Sequence, residues 1–217
     1  MIDFLESIHV CNRSVRNAEW HLRRMERSVG HSLFADEQAL LHLFERLQPH
    51  PLSDCVYKLR LVYNAGGVRE ATVSPYQKRA IDSLILVSMK GDVDYSFKYA
   101  DRSVLQLFSS LCPHPNTEAI LLRNGQVTDS TYSNLCFLSR EDGEWYTPDQ
   151  FLLNGTMRQS LLAMGQCKER FITLDTLHLY SHISLINAMM QLGELMVPME
   201  KVLAPVMTVA YNPPEGA

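Results

Sequence analysis

Residues 54–76 read DCVYKLRLVYNAGGVREATVSPY. Tyr57, Leu59, Leu61 and Tyr63 alternate with Lys58 and Arg60, which is the period of a strand with one buried face. Ala65-Gly66-Gly67 supplies a turn and VREATVSPY runs on, so the stretch predicts a β-hairpin. On its N-terminal side, Asp36 can cap a helix through about residue 48 with Leu40, Leu41, Leu43, Phe44 and Leu47 as its apolar stripe. Before that, Asn17 can cap a helix over 18–29, with Leu22, Met25 and Val29 on one face, and residues 2–11 alternate as a strand. On the C-terminal side, SLILVSM (83–89) reads as a short buried strand. Then come a helix near 101–112, strands at 118–123 and 133–139 with an Asn124-Gly125 turn between them, and a strand ending at Thr147-Pro148. A helix after Asn154-Gly155, a strand at 169–174, a short helix at 176–181 and strands at 184–190 and 194–198 follow. Strands and helices mix without regular βαβ alternation, so the expected class is α+β with mixed and antiparallel sheets. Lys90-Gly91-Asp92-Val93 is read as the boundary between a small N-terminal α/β domain (1–93) and a larger C-terminal one (94–217).

The bulk numbers exclude several classes. The 217 residues are 46% hydrophobic and 20% charged, enough for one globular unit or two small domains. The net charge is −4 and no basic stripe is present, which argues against nucleic acid as a partner. The apolar runs are too short to span a bilayer, and the opening MIDFLESIHVCNRS has no cationic region of the secretory kind. Five scattered cysteines without CxxC spacing read as reduced thiols of a cytoplasmic protein. With no HExxH motif, no metal is expected.

Several short pieces carry polar groups in patterns that suit chemistry. His21 and Arg24 are three apart and share a helix face, where an arginine can bind a phosphate bidentately; taken alone, the stretch favours a solvated face. Lys98 stands between Phe97 and Tyr99, and of the six lysines it has the least polar surroundings. If a lysine forms a Schiff base, its environment points to Lys98, whereas a lysine snorkelling past two rings is the plain alternative. Asp129, within NGQVTDSTYSNL (124–135), stands before an apolar strand, as an acid in a cleft or as part of a turn. Gly155-Thr156 at a helix start exposes backbone N–H groups, either to a phosphate or as an ordinary cap. Asn187-Ala188 interrupts an apolar strand, at a ligand or at an edge.

The order and spacing of these pieces resemble the class IV aminotransferases, fold type IV enzymes that use pyridoxal 5′-phosphate. LESIHV is similar to that family's opening strand, WHLRRMERS to its His-x-x-Arg helix, FKYADR to its lysine segment, NGQVTDSTYSNLCF to its acidic segment and TPDQFLLNGTMRQ to its phosphate-binding helix start. The resemblance implies a two-domain fold like that of D-amino acid aminotransferase, with the cofactor at the domain interface. It makes Lys98 the Schiff-base lysine, Arg24 a phosphate ligand and Asp129, in place of the usual glutamate, the partner of the pyridine nitrogen. Thr156 and Met157 would offer backbone N–H groups, and Asn187 and Ala188 would line the cofactor. Arg102, Met157-Arg158 and INAMM (186–190) look like the 4-amino-4-deoxychorismate lyase branch. There Ser7 stands where a catalytic threonine is common, and His9, Arg60 and Arg102 are candidates for binding the substrate carboxylates. The implied activity is conversion of 4-amino-4-deoxychorismate to 4-aminobenzoate and pyruvate in folate synthesis, by a homodimer with a small-molecule substrate. An amino-acid transaminase and a non-catalytic cofactor-binding homologue are the alternatives.

Overall fold

The computed structural model describes residues 1–91 and 93–211; Asp92, inside the segment read as a boundary, and residues 212–217 lie outside the described residues. The chain forms two units, Met1–Lys78 with Phe97–Asp101, and Arg79–Ser96 with Arg102–Ala217.

The first unit is a four-stranded antiparallel sheet with two helices. Its strands are β1 (Phe4–Cys11), β2 (Ser14–Val15), β3 (Tyr57–Asn64) and β4 (Gly67–Pro75), in the order β2-β1-β3-β4. The hairpin forms as the alternation predicts: Tyr57, Leu59, Leu61 and Tyr63 are buried while Lys58, Arg60 and Val62 are half-buried. It closes at Asn64 and Gly67, and Gly67 has φ +114°, a conformation that L side chains rarely adopt. Helices α1 (Ala18–Val29) and α2 (Glu37–Leu47) follow β2. Asp36 caps α2 by accepting from the Ala39 N–H at 2.9 Å. Asn17 holds the N-cap position of α1 in a left-handed conformation (φ 56°) and makes no side-chain cap bond. Its carbonyl accepts from Trp20 and His21 instead. The core joins Ile8 and Val10 of β1 to Met25 of α1, Leu40 and Phe44 of α2, and Leu59 and Leu61 of β3. Truncating a fully buried leucine such as Leu40 to alanine costs about 2–5 kcal/mol. Segment 97–101 runs beside the start of β1: Leu5 N–H donates to the Lys98 carbonyl at 2.8 Å, and Ala100 N–H to that of Asp3 at 2.9 Å.

The second unit contains β5 (Ser83–Lys90), α3 (Ser103–Ser109), β6 (Thr117–Arg123), β7 (Gln126–Ser130), β8 (Asn134–Ser139), β9 (Trp145–Pro148), α4 (Thr156–Ala163), β10 (Lys168–Arg170), β11 (Tyr180–Ile186), β12 (Met196–Pro198) and β13 (Val202–Ala210). One sheet has the order β13-β5-β6-β7, with β13 and β6 both parallel to β5; the other runs β10-β9-β8-β11-β12. Ile120, Leu122, Leu135, Phe137, Ile183 and Leu185 build its main core. Three elements differ from expectation. Residues 126–130, read as part of a turn, form β7 and pair back on β6. The strand expected at 184–190 is β11 at Tyr180–Ile186, followed by a tight turn in which Asn187 and Met190 exchange backbone bonds. A closing strand, β13, follows the expected last strand and carries a register shift between Leu203 and Met207. Among the described residues no helix is long and apolar enough to cross a membrane, and no group of three or more His, Cys, Asp or Glu side chains could hold a metal.

Candidate active site

In the first unit, α1 turns His21, Arg24 and Met25 inward with Ala18, since residues three, four and seven apart share one face. The face meets Glu6 of β1, a carboxylate with no exposed surface. Glu6 Oε1 accepts from Arg24 Nε and Oε2 from Arg24 Nη2, both at 2.6 Å, and His21 Nδ1 lies 2.6 Å from Oε2. Burial alone would push the Glu6 carboxyl up, but Arg24 and His21 outweigh it and hold the pKa at about 2. Burial is the largest influence on His21 and depresses its pKa; the charges of Arg24 and Lys98 act in the same direction, against Glu6. His21 is therefore neutral, with Nδ1–H donated to Glu6, and its Nε2 is buried without a partner. Lys98 itself is half-buried beside β1. On the other face of the sheet, register places Ser7 opposite Arg60 and His9 opposite Lys58. Arg60 also pairs with Glu70 at 3.0 Å.

In the second unit, segment 129–134 collects the remaining candidates. Asp129 is 5% exposed, and its Oδ2 accepts from the N–H groups of Leu152 (2.7 Å) and Leu153 (2.9 Å). Its Oδ1 accepts from Asn134 Nδ2 at 2.7 Å. Burial raises its pKa to about 6 against these three donors and the charge of Arg158. A carboxylate has about four acceptor sites, so Oδ1 has room for one further donor. Arg102 Nη2 donates to the Thr131 carbonyl at 2.8 Å, and Asn187 Nδ2 lies 3.4 Å from that of Tyr132. Gly155 precedes α4, whose N-terminus has no side-chain cap, and Thr156 Oγ1 at its first position is buried without a partner. Met157 is buried on α4; Ala188 is half-buried beside Asn187.

The structure thus brings Ser7, His9, Arg24, Arg60 and Lys98 into one unit, and Arg102, Asp129, Thr156, Met157, Asn187 and Ala188 into the other. Sequence reasoning missed two polar residues. One is Glu6, whose signal was a lone acid inside the apolar strand FLESIHV. The other is Asn134, which bonds both Asp129 and the Leu153 carbonyl.

The sequence pattern described as amino-transferase class IV matches residues 110–194. An uncharacterised protein of Haemophilus influenzae is 34% identical over 195 residues, which is 87% of this chain and 98% of that protein. A solved structure from Haemophilus somnus 129PT, a provisionally assigned 4-amino-4-deoxychorismate lyase, is similar with a TM-score of 0.76 and 28% identity, covering 88% of this chain and 98% of the other. A hypothetical aminotransferase of Mycobacterium tuberculosis in a PLP-bound form has a TM-score of 0.70 at 18% identity, covering 94% and 84%. The chain belongs to the class IV aminotransferase family and has the α+β fold of the fold type IV enzymes.

Proposed function

We propose that this class IV aminotransferase family member is a pyridoxal-phosphate-dependent lyase that converts 4-amino-4-deoxychorismate to 4-aminobenzoate and pyruvate. Family membership and the PLP-bound relative support the cofactor. The Haemophilus somnus neighbour, together with Arg102, Met157-Arg158 and Asn187-Ala188, supports the lyase activity. The observation that carries the reading is the pairing, within the second unit, of a buried acid with room for one more donor and an uncapped helix start with an unpartnered hydroxyl. One suits a protonated ring nitrogen and the other a phosphate, so the residues present fit the group.

Pyridoxal 5′-phosphate, when bound, supplies an electron sink for charge developing on the substrate carbon. Thr156 would bind the phosphate through its hydroxyl and backbone N–H, with Met157 N–H beside it and Asn187 and Ala188 lining the ring. Arg24 would have to reach the phosphate with donors other than the two that Glu6 holds. Asp129 Oδ1 would accept from the ring N–H, which holds its carboxylate ionised despite burial. Lys98 Nζ, in its neutral form, would take the proton from the amine-bearing substrate carbon, and Ser7 Oγ would guide the leaving enolpyruvyl oxygen. His9, Arg60 and Arg102 are the donors offered to the two substrate carboxylates.

The test is an assay of cofactor-loaded protein with 4-amino-4-deoxychorismate, following 4-aminobenzoate by fluorescence. Turnover that disappears in Lys98→Ala, together with the absorbance band of the lysine-linked cofactor, is the expected result. Consumption of an amino acid with release of its 2-oxo acid, and no 4-aminobenzoate, would make the protein a transaminase. A bound cofactor with neither reaction would make it a binding homologue. The reading also proposes a cytoplasmic homodimer, which light scattering on the loaded protein tests for assembly.

A further inference from the structure

Asn134 is the first residue of β8, fixed opposite Ile186 of β11, and it is 5% exposed. Its one amide group meets three parts of the second unit. Nδ2 donates to Asp129 Oδ1 at 2.7 Å and to the Leu153 carbonyl at 2.8 Å. Oδ1 occupies the space beside Gly155, where an added Cβ would lie only 2.0 Å from it. The other two donors to Asp129 are the N–H groups of Leu152 and Leu153, from the same stretch that Asn134 holds through the Leu153 carbonyl. The acid, the 152–155 backbone and the start of α4 therefore share one side chain, and Gly155 is the residue that makes room for it.

We propose that Asn134 is a positioning residue that locks the Asp129 carboxylate to the N-terminus of α4, so that the acid and the phosphate-side helix hold one fixed geometry. Its purpose rests on the cofactor reading above; the lock is a property of the chain alone. Asn134 touches neither the ring nor the phosphate in this role and acts through Asp129 and Gly155. Arg158 of α4 is the charged side chain that acts on Asp129.

Four proteins test it: wild type, Asn134→Ala, Gly155→Ala and the double variant. Two properties are read. One is the pyridoxal 5′-phosphate affinity from an absorbance titration; the other is the pH dependence of urea unfolding without cofactor. Loss of a hydrogen bond to a charged group predicts about ten- to hundredfold weaker binding for Asn134→Ala. Gly155→Ala should weaken binding as well, because its methyl displaces the amide. The double variant should bind no worse than Asn134→Ala, since the methyl then enters the space the amide has left. Removing a donor from the carboxylate also raises its pKa, so Asn134→Ala should move the end of the Asp129 titration to higher pH. A merely structural asparagine would lower stability equally at all pH values, and its effect would add to that of Gly155→Ala. Either of those results, or wild-type behaviour of Gly155→Ala, overturns the proposal. Should wild type bind no pyridoxal 5′-phosphate, the cofactor reading falls. The lock is then decided by the pH profile and by whether Asn134→Ala suppresses the stability loss of Gly155→Ala. Asn134→Ser, which keeps a small polar group, replaces Asn134→Ala if that variant fails to fold.

Discussion

Glu6→Gln offers a direct measure of what the first unit invests in its buried ion cluster. The glutamine matches the glutamate in size but carries no charge, so Arg24, 5% exposed, keeps at most one of its two bonds to this side chain and loses the charge of Glu6. Two routes give the size of the loss. The drop of the Glu6 pKa from 4.5 to about 2, at about 1.4 kcal/mol per unit, corresponds to about 3 kcal/mol in favour of the ionised form in the fold. Breaking a buried pair by removing one partner costs about 3–5 kcal/mol. The expected loss in urea unfolding of the cofactor-free protein near pH 7.5 is thus about 3 kcal/mol. The sign of the pH dependence follows from a depressed carboxylate. The contribution of Glu6 is complete above its unfolded pKa of 4.5 and fades as pH falls toward about 2. The gap between wild type and variant should therefore narrow on acidification. A loss below about 1 kcal/mol at pH 7.5, or a gap that stays constant down to about pH 3, would refute the reasoning, since that is the range of an exposed pair.

Other measurements follow from the second unit. Thr156→Val removes a buried hydroxyl that has no protein partner, so stability without cofactor should hold or rise by up to about 1 kcal/mol, while pyridoxal 5′-phosphate affinity drops about tenfold. Asp129 has a raised folded pKa, so its destabilising charge appears as pH rises from 3.8 to about 6; wild type should lose about 3 kcal/mol over that window by linkage, and Asp129→Asn should not. Arg158→Lys keeps the charge but not the fork that reaches Asn154 Oδ1, the Pro148 carbonyl and Glu169, and a loss of about 2 kcal/mol in urea unfolding is expected.

The elements legible in the sequence were those whose pattern is local. The Tyr57–Tyr63 alternation forms as read, and of the stripe Leu40, Leu41, Leu43, Phe44 and Leu47 the structure buries Leu40, Leu41 and Phe44, with Leu43 half-buried and Leu47 exposed at the helix end. β7 was hidden because Thr128, Asp129 and Ser130 look like turn residues; they are buried polar groups whose partners, such as the Leu121 carbonyl for Thr128, come from elsewhere in the chain. β13 was hidden because Ala204-Pro205 breaks the run, and a proline cannot donate to a ladder. β13 carries a register shift between Leu203 and Met207. For β13 the deciding fact is a partner far away in sequence, β5, which no window of residues contains; the backbone partner of β7 is the neighbouring β6, and what a local pattern does not show is that its acid is held by Leu152 and Leu153.

The same division explains the site. Lys98, Asp129 and Thr156 stood out because each is a reactive or polar type in an unusual local setting, and their order in the chain matched a family. Glu6 and Asn134 do no chemistry in the reading given above, so residue type alone did not single them out. What marks them is where their atoms go. Glu6 neutralises a buried arginine 18 positions on in the chain and occupies two of the Arg24 donors, so that in the proposed reading a phosphate would have to meet others. Asn134 sits five residues after Asp129 and takes one acceptor site of Oδ1, the oxygen that the proposed reading turns to a ring. Each is a polar group buried at a net cost unless every bond is made. That cost has a direct consequence for how the variants should fail. A substitution at Lys98 should remove chemistry and leave the fold intact. One at Glu6 should cost stability first, because a buried guanidinium loses the carboxylate that accepts two of its bonds. One at Asn134 should fall between them, with a modest stability loss and a larger loss of cofactor affinity, because the groups it leaves behind are the ones that would meet the cofactor.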